Sequence, residues 1–270
     1  MKLLTLNTHS LMENKYEDKL RAFVNFIIKE RPEIIALQEI MQPCVAKHNN
    51  NYCCVGSVSL KEGNHAVNIV EALQKEGCEY NLVWLGFKKS YDMFDEGLAI
   101  LTDKKIKKTM EITLSPFDDY ANWKTRKALG VLIGDAWFFS IHMGWWDDPV
   151  SPFQYELNKL LQEVQFLKEF WLMGDFNSIS EEKNKGYDLI KKRGLYDTYE
   201  LAAKKDSGAT STLNIDGWGK NSCDEIRIDY IFTNKMVSIN SSTVVFNGIN
   251  ERKISDHYGV MVCIDRKEEK

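Results

Sequence analysis

Hydrophobic residues along the chain follow two repeating patterns, which predict alternating strands and helices. Short apolar runs bounded by polar or turn residues, such as 34–37 and 170–173, are typical of strands buried in a sheet. Apolar residues three and four positions apart, as at 15–31 and 153–168, indicate amphipathic helices. Strands are predicted at 2–6, 33–37, 80–85, 98–101, 128–133, 136–141, 170–173, 226–233, 241–246 and 259–264, and helices at 15–31, 66–73, 153–168, 186–193 and 197–204.

The order of these elements predicts an α/β protein. The first strand, helix and strand are joined by short connections, which is typical of an α/β sheet. Residues 42–63 and 88–97 are polar and are interpreted as surface loops. Because the chain has no linker, repeat or low-complexity run, residues 1–270 are expected to form one domain, with 266–270 as a frayed end.

Composition narrows the class of protein without deciding its function. The 270 residues are 44% hydrophobic and 27% charged, as expected of a soluble domain with a sizeable core. The net charge of -4 does not suggest the strongly basic surface of a typical nucleic-acid binder. No apolar run approaches the roughly 20 residues that span a bilayer, and the first residues lack the features of a signal peptide. Six scattered cysteines without metal-binding spacing are expected to be reduced thiols, so a cytoplasmic location is expected.

Candidate chemistry lies at the ends of the predicted strands. Asp175 and Asn177 follow the strand 170–173 after a glycine, and their spacing lets both side chains converge while Phe176 turns into the core. Taken alone, this stretch is more typical of an ordinary turn. Similar polar residues mark the ends of other strands: Asn7, Glu39, His142, Asp229, Asp256 and His257. Since ligands in α/β sheets gather where strand ends converge, the set predicts one active site.

These residue types suit phosphoester hydrolysis. Glu39 and Asn7 offer the oxygen ligands that Mg²⁺ accepts, and a metal ion there would neutralise charge on a phosphate. His257 could accept a proton or orient the attacking water, with the Asp229 carboxylate fixing its tautomer. Two residues could contact the phosphate directly, namely His142 as a hydrogen-bond donor and Arg126 through a bidentate contact. The chain has no Walker loop, nucleophile-elbow serine or H-E-x-x-H motif.

An ordered set of short motifs across nearly the whole chain resembles the endonuclease/exonuclease/phosphatase superfamily. The matching stretches are Leu4-Thr5-Leu6-Asn7-Thr8, Ile35-Ala36-Leu37-Gln38-Glu39, Asp95-Glu96-Gly97-Leu98-Ala99-Ile100, Thr125-Arg126-Lys127-Ala128-Leu129, Ser140-Ile141-His142, Gly174-Asp175-Phe176-Asn177, Arg227-Ile228-Asp229-Tyr230-Ile231 and Ser255-Asp256-His257. The resemblance implies a sandwich of two packed mixed β-sheets flanked by helices on the outer faces. It also implies a metal-dependent hydrolase of ester bonds.

The resemblance assigns roles to individual residues. It implies that Glu39 is a metal ligand, that Asn7 lies beside the metal, and that Asp256 belongs to a second metal site or supports the first. Mg²⁺ is the expected cofactor, with Mn²⁺ as the alternative ion. Asp175 and Asn177 match the pair that positions the attacking water and the transition state, and Asn177 joins Arg126 and His142 as phosphate-binding. Two carboxylate-histidine pairs are implied, Asp229 with His257 and Glu96 with His142, and the identity of the general base stays open.

Substrate recognition is expected from aromatic residues with acidic neighbours. Trp145, Trp146 and Asp147 follow His142 directly, and three further segments have the same character: Tyr91 before Glu96, Trp123 before Arg126, and Asp216-Gly217-Trp218. Aromatic rings can stack on the faces of a sugar and carboxylates can accept from its hydroxyls, whereas acids repel a nucleic-acid backbone. Trp171, inside a strand, is expected in the core, which is the commoner location of an aromatic side chain in proteins.

These same segments are similar to the maltose 6'-phosphate phosphatases of Gram-positive bacteria. The similarity implies Mg²⁺-dependent hydrolysis of a phosphorylated sugar in the cytoplasm, without a membrane. One alternative is an endonuclease or exonuclease, for which Lys88-Lys89, Lys104-Lys105, Lys107-Lys108 and Lys124 to Lys127 could supply basic patches. Less favoured are a sphingomyelinase-like phosphodiesterase and an inactive binding protein. His9 is given no role, His48 and His65 are expected at the surface, and the oligomeric state is left open.

Overall fold

The computed structural model describes residues 1–215, 218 and 224–265. The expected frayed end at 266–270, Cys223 and the pair Asp216-Gly217 lie outside these residues. In chain order the strands are β1 (Lys2–Asn7), β2 (Ile34–Pro43), β3 (Cys53–Val55), β4 (Asn81–Ser90), β5 (Phe94–Thr102), β6 (Ile106–Thr113), β7 (Lys127–Ile133), β8 (Ala136–His142), β9 (Phe170–Asp175), β10 (Tyr196–Asp197), β11 (Ala202–Lys205), β12 (Ser211–Thr212), β13 (Glu225–Ile226), β14 (Asp229–Thr233), β15 (Ile239–Val245) and β16 (Gly259–Ile264). The helices are α1 (Tyr16–Glu30), α2 (His65–Lys75), α3 (Phe153–Val164), α4 (Gly186–Lys192) and α5 (Thr198–Leu201).

Two large mixed β-sheets form the framework. The strand order of one sheet is β11-β15-β16-β1-β2-β5-β4-β3, and that of the other is β10-β14-β9-β8-β7-β6. Each sheet contains both strand directions, since β1 pairs in parallel with β2 and antiparallel with β16, while β8 pairs in parallel with β9 and antiparallel with β7. The predicted sandwich of two mixed sheets is confirmed.

Hydrophobic burial holds this sandwich together in three layers. Between the sheets, Leu3 and Ile34 pack in one cluster with Trp171 from the opposite sheet, which confirms the predicted core position of Trp171. The outer face of the first sheet is covered by α1 and α2, and that of the second by α3 and α4. Because β1 and β2 are covered on both faces, their apolar residues run on without alternation. Each fully buried leucine contributes roughly 1.5–3 kcal/mol to this packing.

A few buried polar contacts join the two sheets near the ends of their strands. Gln38 on β2 donates from Nε2 to Ser140 Oγ on β8 at 2.9 Å, and Ser140 Oγ donates to the Leu37 carbonyl at 2.9 Å. Asn7 at the end of β1 donates to Asp175 Oδ2 at the end of β9, at 3.1 Å. These contacts fix the separation of the strand ends on which the predicted site residues lie.

Several element predictions need correction. The loop predicted at 88–97 is mostly the β4–β5 hairpin, β2 continues to Pro43, and the predicted loop 42–63 contains β3. Strand β6 was not predicted, because its sequence is polar and largely exposed at the edge of a sheet. The helix predicted at 197–204 is a single turn followed by β11.

Two predictions about side chains can be compared with the structure. His65 is buried rather than at the surface, where its Nδ1 lies 2.9 Å from the Tyr16 hydroxyl, and burial lowers the pKa of His65 to about 3. The five described cysteines are free thiols, as expected.

Within the described ranges, no helix has the length and apolar character needed to cross a membrane.

Candidate active site

A cavity of about 320 Å³ lies where the ends of both sheets meet. It brings together most of the side chains predicted for the site, from strands of both sheets and from the loops between them. The lining residues are Glu39, Lys88, Ser90, Tyr91, Glu96, Trp123, Arg126, His142, Trp145, Asp175, Asn177, Trp218 and His257. Convergence of strand ends on one site is therefore observed, as the pattern of polar residues predicted.

Three adjacent strands place polar groups side by side at the floor of the cavity. His142 on β8 is in register with Asp175 on β9, and Asp175 is in register with Asp229 on β14. Gly174 precedes Asp175 with a φ of 151°, and a Cβ there would lie 1.9 Å from the Ile141 carbonyl oxygen. Only glycine fits this close approach of strands. The glycine thus allows β8 and β9 to bring the histidine and the carboxylate together.

The turn after β9 fixes Asn177. Its backbone N–H donates to Asp175 Oδ1 at 2.8 Å, and its φ of 46° lies in the left-handed region that asparagine tolerates. Its side-chain nitrogen donates to the Met143 carbonyl at 2.8 Å, while its Oδ1 accepts from Trp218 Nε1 at 3.1 Å. The predicted convergence of Asp175 and Asn177 is what the structure shows, whereas Phe176 is buried beneath them.

Glu39 reaches the cavity through an irregularity in β2. The register with β5 shifts between Leu37 and Ile40, and Glu39 between them has a φ of 51°. This bulge turns the carboxylate into the cavity and lets the strand continue, because Ile40 is again fully buried. Glu39 Oε1 accepts from Asn7 Nδ2 at 2.9 Å, so the two residues predicted to hold a metal are in contact.

The charges around Glu39 fit a divalent cation. Removal from water and repulsion by Glu96 and Asp256 raise the pKa of Glu39, since three carboxylates share one region. A cation among them would relieve that repulsion and accept oxygen ligands. Asp256 also lies within 4.8 Å of ligand atoms of His9 and Glu13, where His9 Nδ1 is 2.9 Å from Glu13 Oε1. Sequence reasoning gave His9 no role, although its position two residues after Asn7 was a signal.

The two cavity histidines have opposite electrostatic environments. Burial alone would lower the pKa of His257, but the carboxylates of Asp229 and Asp175 outweigh it and raise this pKa well above its ordinary value. His257 Nδ1 is 3.0 Å from Asp229 Oδ2 and its Nε2 is 3.8 Å from Asp175 Oδ2. Burial, with repulsion by Arg126 and other cations, lowers the pKa of His142 well below its usual value. These surroundings favour the charged form of His257 and the neutral form of His142.

Asp175 is the central carboxylate of the site. Its Oδ2 lies 3.5 Å from His142 Nε2 and accepts a hydrogen bond from Asn7. Burial raises the pKa of Asp175 to about 7, with the Asp229 charge acting in the same direction and His257 opposing it. A carboxylate with this pKa can take up or release a proton near neutral pH.

Glu96 has a different partner from the one implied by the resemblance. It pairs with Lys88 at 2.8 Å rather than with His142, because the register of the β4–β5 hairpin places Lys88 opposite Glu96. Lys88 was interpreted from the sequence as part of a solvated loop, yet it is 5% exposed and lines the cavity. The spacing of these residues was a signal for this pair, because Lys88 precedes Glu96 by eight residues and the two lie on opposite arms of a hairpin.

Arg126 is buried in the cavity wall beside Trp123 and Trp145. Its Nη1 donates to the Trp123 carbonyl at 3.0 Å, its guanidinium lies 5.8 Å from the centre of the Trp145 ring, and its Nε has no partner among the described residues. The Trp123 and Trp145 rings meet edge to face at 5.8 Å. A buried donor without a partner is costly, so it points to an anion that binds here.

The other predicted substrate-binding residues divide into two groups. Tyr91 and Trp123 line the cavity, and Trp218 contributes as well, although Asp216 and Gly217 beside it are not described. Trp146 and Asp147 are not brought to the cavity: Trp146 packs against Phe153 of α3 at 6.1 Å between ring centres, and Asp147 is exposed. Trp146 and Asp147 lie in a turn in which the Asp148 N–H donates to the Trp145 carbonyl at 3.3 Å, so Trp145 and Trp146 have different surroundings.

Comparison with known proteins identifies the family. The sequence profile of the endonuclease/exonuclease/phosphatase family matches residues 4–257. The chain belongs to the endonuclease/exonuclease/phosphatase family. Members of this family are metal-dependent hydrolases of phosphoester bonds, and the chain is an enzyme of this class. No curated protein sequence matches the chain.

Solved structures of this family share its fold. An endonuclease/exonuclease/phosphatase family protein from Leptotrichia buccalis is 30% identical with a TM-score of 0.88, covering 98% of this chain and 100% of that one. A mannosyl-6-phosphatase from Bacteroides thetaiotaomicron is 19% identical with a TM-score of 0.67, covering 98% and 100%. A 3' phosphatase from Neisseria, bound to a product DNA hairpin, is 17% identical with a TM-score of 0.63, covering 98% and 100%. The last two show a common fold only.

Proposed function

We propose that the protein is a Mg²⁺-dependent phosphomonoesterase that releases phosphate from a phosphorylated sugar in the cytoplasm, with Mn²⁺ as the alternative ion. The observation that carries this proposal is the wall of the cavity, where the buried Arg126 lies beside the Trp145 ring and donates to the Trp123 carbonyl, and where the Trp123 and Trp145 rings meet edge to face. A guanidinium beside a pair of aromatic side chains provides a phosphate contact and a stacking surface within one small cavity. Trp123 is 53% exposed at its mouth, where a sugar ring would stack.

The size of the cavity supports a small substrate. Its volume of about 320 Å³ is at the lower end of the range of about 300–1,000 Å³ typical of small-molecule sites. A disaccharide phosphate would fill it and extend past Trp123 and Tyr91 at the rim. The likeness to the mannosyl-6-phosphatase from Bacteroides thetaiotaomicron also supports the proposal, because that sugar phosphatase has the same fold.

The basic patches considered for nucleic-acid binding are largely neutralised. Of the eight lysines in these patches, six have a carboxylate partner within 4 Å: Lys88, Lys89, Lys104, Lys107, Lys124 and Lys127. Lysines already paired with acids gain little from displacing the counterions of a nucleic-acid backbone. This distribution favours a small phosphate ester over DNA or RNA.

Within this proposal, each catalytic side chain has a role that follows from its surroundings. Asp175, with its pKa of about 7, accepts a proton from the attacking water, and Asn177 contacts the phosphoryl group. The charged His257, fixed by Asp229, stabilises the negative charge of the transition state. The neutral His142 donates a hydrogen bond to a phosphoryl oxygen.

The same proposal assigns the metal site to Glu39, Asn7 and Asp256. A divalent cation bound there supplies neutralisation of the phosphate charge. The Asn7 side chain donates to both Glu39 and Asp175. It therefore connects the proposed metal ligand Glu39 with Asp175, the carboxylate that accepts the proton.

Release of inorganic phosphate from a substrate panel tests this function. The panel holds maltose 6'-phosphate, trehalose 6-phosphate, glucose 6-phosphate and a nucleotide, each assayed with Mg²⁺ and with EDTA beside a plasmid-nicking reaction. Phosphate released only from sugar phosphates, only with Mg²⁺, is the expected result. Plasmid nicking without phosphate release would replace the proposal with the nuclease alternative. Asp175→Asn is the inactive control, and Asp135→Asn, at the exposed β7–β8 turn, is its matched active control.

A further inference from the structure

Two buried cations meet in one wall of the cavity. Lys88 is 5% exposed and Arg126 is 2% exposed, and both line the cavity. The Trp123 carbonyl accepts from Lys88 Nζ at 3.3 Å and from Arg126 Nη1 at 3.0 Å, so the two cations are neighbours on one oxygen atom.

The negative charge that the protein supplies to this wall is smaller than the positive charge. Glu96 pairs with Lys88 at 2.8 Å, whereas Arg126 has no carboxylate partner in the described part of the chain. The Arg126 charge also disfavours the charged form of Lys88, since burial and repulsion by Arg126 lower the pKa of Lys88. Buried charges are stable only when they are paired, so this wall is built to receive an anion.

We propose that Lys88, positioned by Glu96 beside Arg126, is a specificity-determining residue that binds the second negative charge of a terminal phosphomonoester and thereby disfavours phosphodiesters. This inference rests on the proposed phosphomonoesterase function. The ligand is defined by its chemistry as a phosphate group with three unsubstituted oxygens, whatever alcohol carries it.

The discrimination follows from charge and from available oxygens. A phosphomonoester carries a charge of about −1.5 to −2 near neutral pH and presents three acceptor oxygens. A diester carries a single charge, and its second ester group replaces one of those oxygens. Against the wall of Lys88 and Arg126, that substituent would leave a buried donor without an acceptor, which is the kind of mismatch that sites reject strongly.

The test compares a monoester with a diester of the same leaving group. p-Nitrophenyl phosphate and bis(p-nitrophenyl) phosphate are assayed with Mg²⁺ in the wild type and in Lys88→Gln, whose amide can still donate to Glu96 and to the Trp123 carbonyl. Loss of one charge-assisted contact is expected to lower the ratio of monoester to diester kcat/KM by about tenfold to a hundredfold. Lys88→Arg, which keeps the charge, is expected to restore most of the ratio.

Lys89→Gln is the matched control, because Lys89 is the next residue on β4 and pairs with the exposed Asp92 at 3.3 Å. It is expected to keep the wild-type ratio. Lys88→Gln/Glu96→Gln removes both charges of the Lys88–Glu96 pair and serves if the single variant folds poorly, with the same fall in ratio expected. Thermal unfolding of each variant identifies folding defects.

The outcomes separate this inference from the proposed function. A wild type that releases phosphate from the monoester, with a ratio unchanged in both Lys88→Gln and the double variant, overturns the role of Lys88 and leaves the phosphomonoesterase function standing. Equal loss of both activities in these variants also overturns the role of Lys88. A wild type active on the diester alone overturns the proposed function, and the inference with it.

Discussion

His257 Nδ1 lies 3.0 Å from Asp229 Oδ2, and the other Asp229 oxygen is buried without a hydrogen-bond partner in the described residues. The side chain of Asp229 therefore interacts with His257 alone among the described side chains that hydrogen-bond to it. It favours the charged form of His257 and orients the ring toward Asp175.

Removal of His257 is expected to slow catalysis. His257→Ala should lower kcat for p-nitrophenyl phosphate by roughly 10²–10⁴-fold, because the site loses a fixed cation beside the reacting group. Steady-state kinetics at saturating Mg²⁺ measure this. His48→Ala, at an exposed histidine, is the control and should keep wild-type turnover. If His257→Ala turned over at nearly the wild-type rate, this residue would have no place in the mechanism.

Replacement of Glu39 is expected to weaken metal binding. Glu39→Gln removes a carboxylate ligand, so the Mg²⁺ concentration for half-maximal activity should rise by at least about tenfold, the scale seen when groups around a metal site are altered. The measurement is a Mg²⁺ titration of the rate. Glu33→Gln, at the start of the same strand region and paired with Lys104 on the surface, should leave the titration unchanged. An unaltered Mg²⁺ dependence in Glu39→Gln would contradict the ligand role.

The adjacent Trp145 and Trp146 are expected to respond differently to truncation. Trp145→Ala should raise KM for a disaccharide phosphate much more than for p-nitrophenyl phosphate, since it removes a stacking surface of the cavity. Trp146→Ala should instead lower the free energy of unfolding by about 1–3 kcal/mol, less than for a fully buried tryptophan, because it loses contact with Phe153. Equal KM effects of Trp145→Ala on both substrates would point to a packing role.

Glu156 is expected to make stability depend on pH. This fully buried carboxyl on α3 accepts from the Gly144 N–H at 2.7 Å and from Ser151 Oγ at 2.5 Å, and burial raises its pKa from 4.5 to about 7. The folded state therefore binds this proton more tightly than the unfolded state. The resulting stabilisation is complete below pH 4.5 and is lost as pH rises to about 7, by an upper limit of about 3 kcal/mol.

Glu156→Gln, which is neutral at every pH, should remove this part of the pH dependence. Denaturant unfolding at pH 5 and pH 7.5 measures the change in unfolding free energy for the variant and the wild type. Glu163→Gln, at an exposed position of the same helix, should behave as the wild type does. Identical pH profiles for the wild type and Glu156→Gln would show that this carboxyl ionises freely in the folded protein.

The convergence of strand ends could be predicted from the residues because it depends on local signals, whereas the sandwich of two sheets was implied by the resemblance to the family. Gly174 followed by Asp175 and Asn177 is recognisable wherever it occurs, since glycine and short polar side chains end a strand in few ways. The β6 strand was not predictable in this way, because lysines and other polar residues separate the few apolar positions of this edge strand.

Side chains that act across strands were harder to predict. The pairing of Lys88 with Glu96 depends on the register of a hairpin that the sequence presented as a loop. Trp146 shows the same limit, because the sequence does not show that the chain turns after Trp145 and that the Trp146 ring packs against Phe153. His9 joins Asp256 only after strands that are distant in the chain are brought together.

The pairing of β1 with β16 has a consequence for biosynthesis. Lys2 is in register with Cys263, so the strand that carries Asn7 completes its sheet only after β16 has been synthesised. His257 lies just before that strand. The site is therefore complete only after His257 and β16 have left the ribosome.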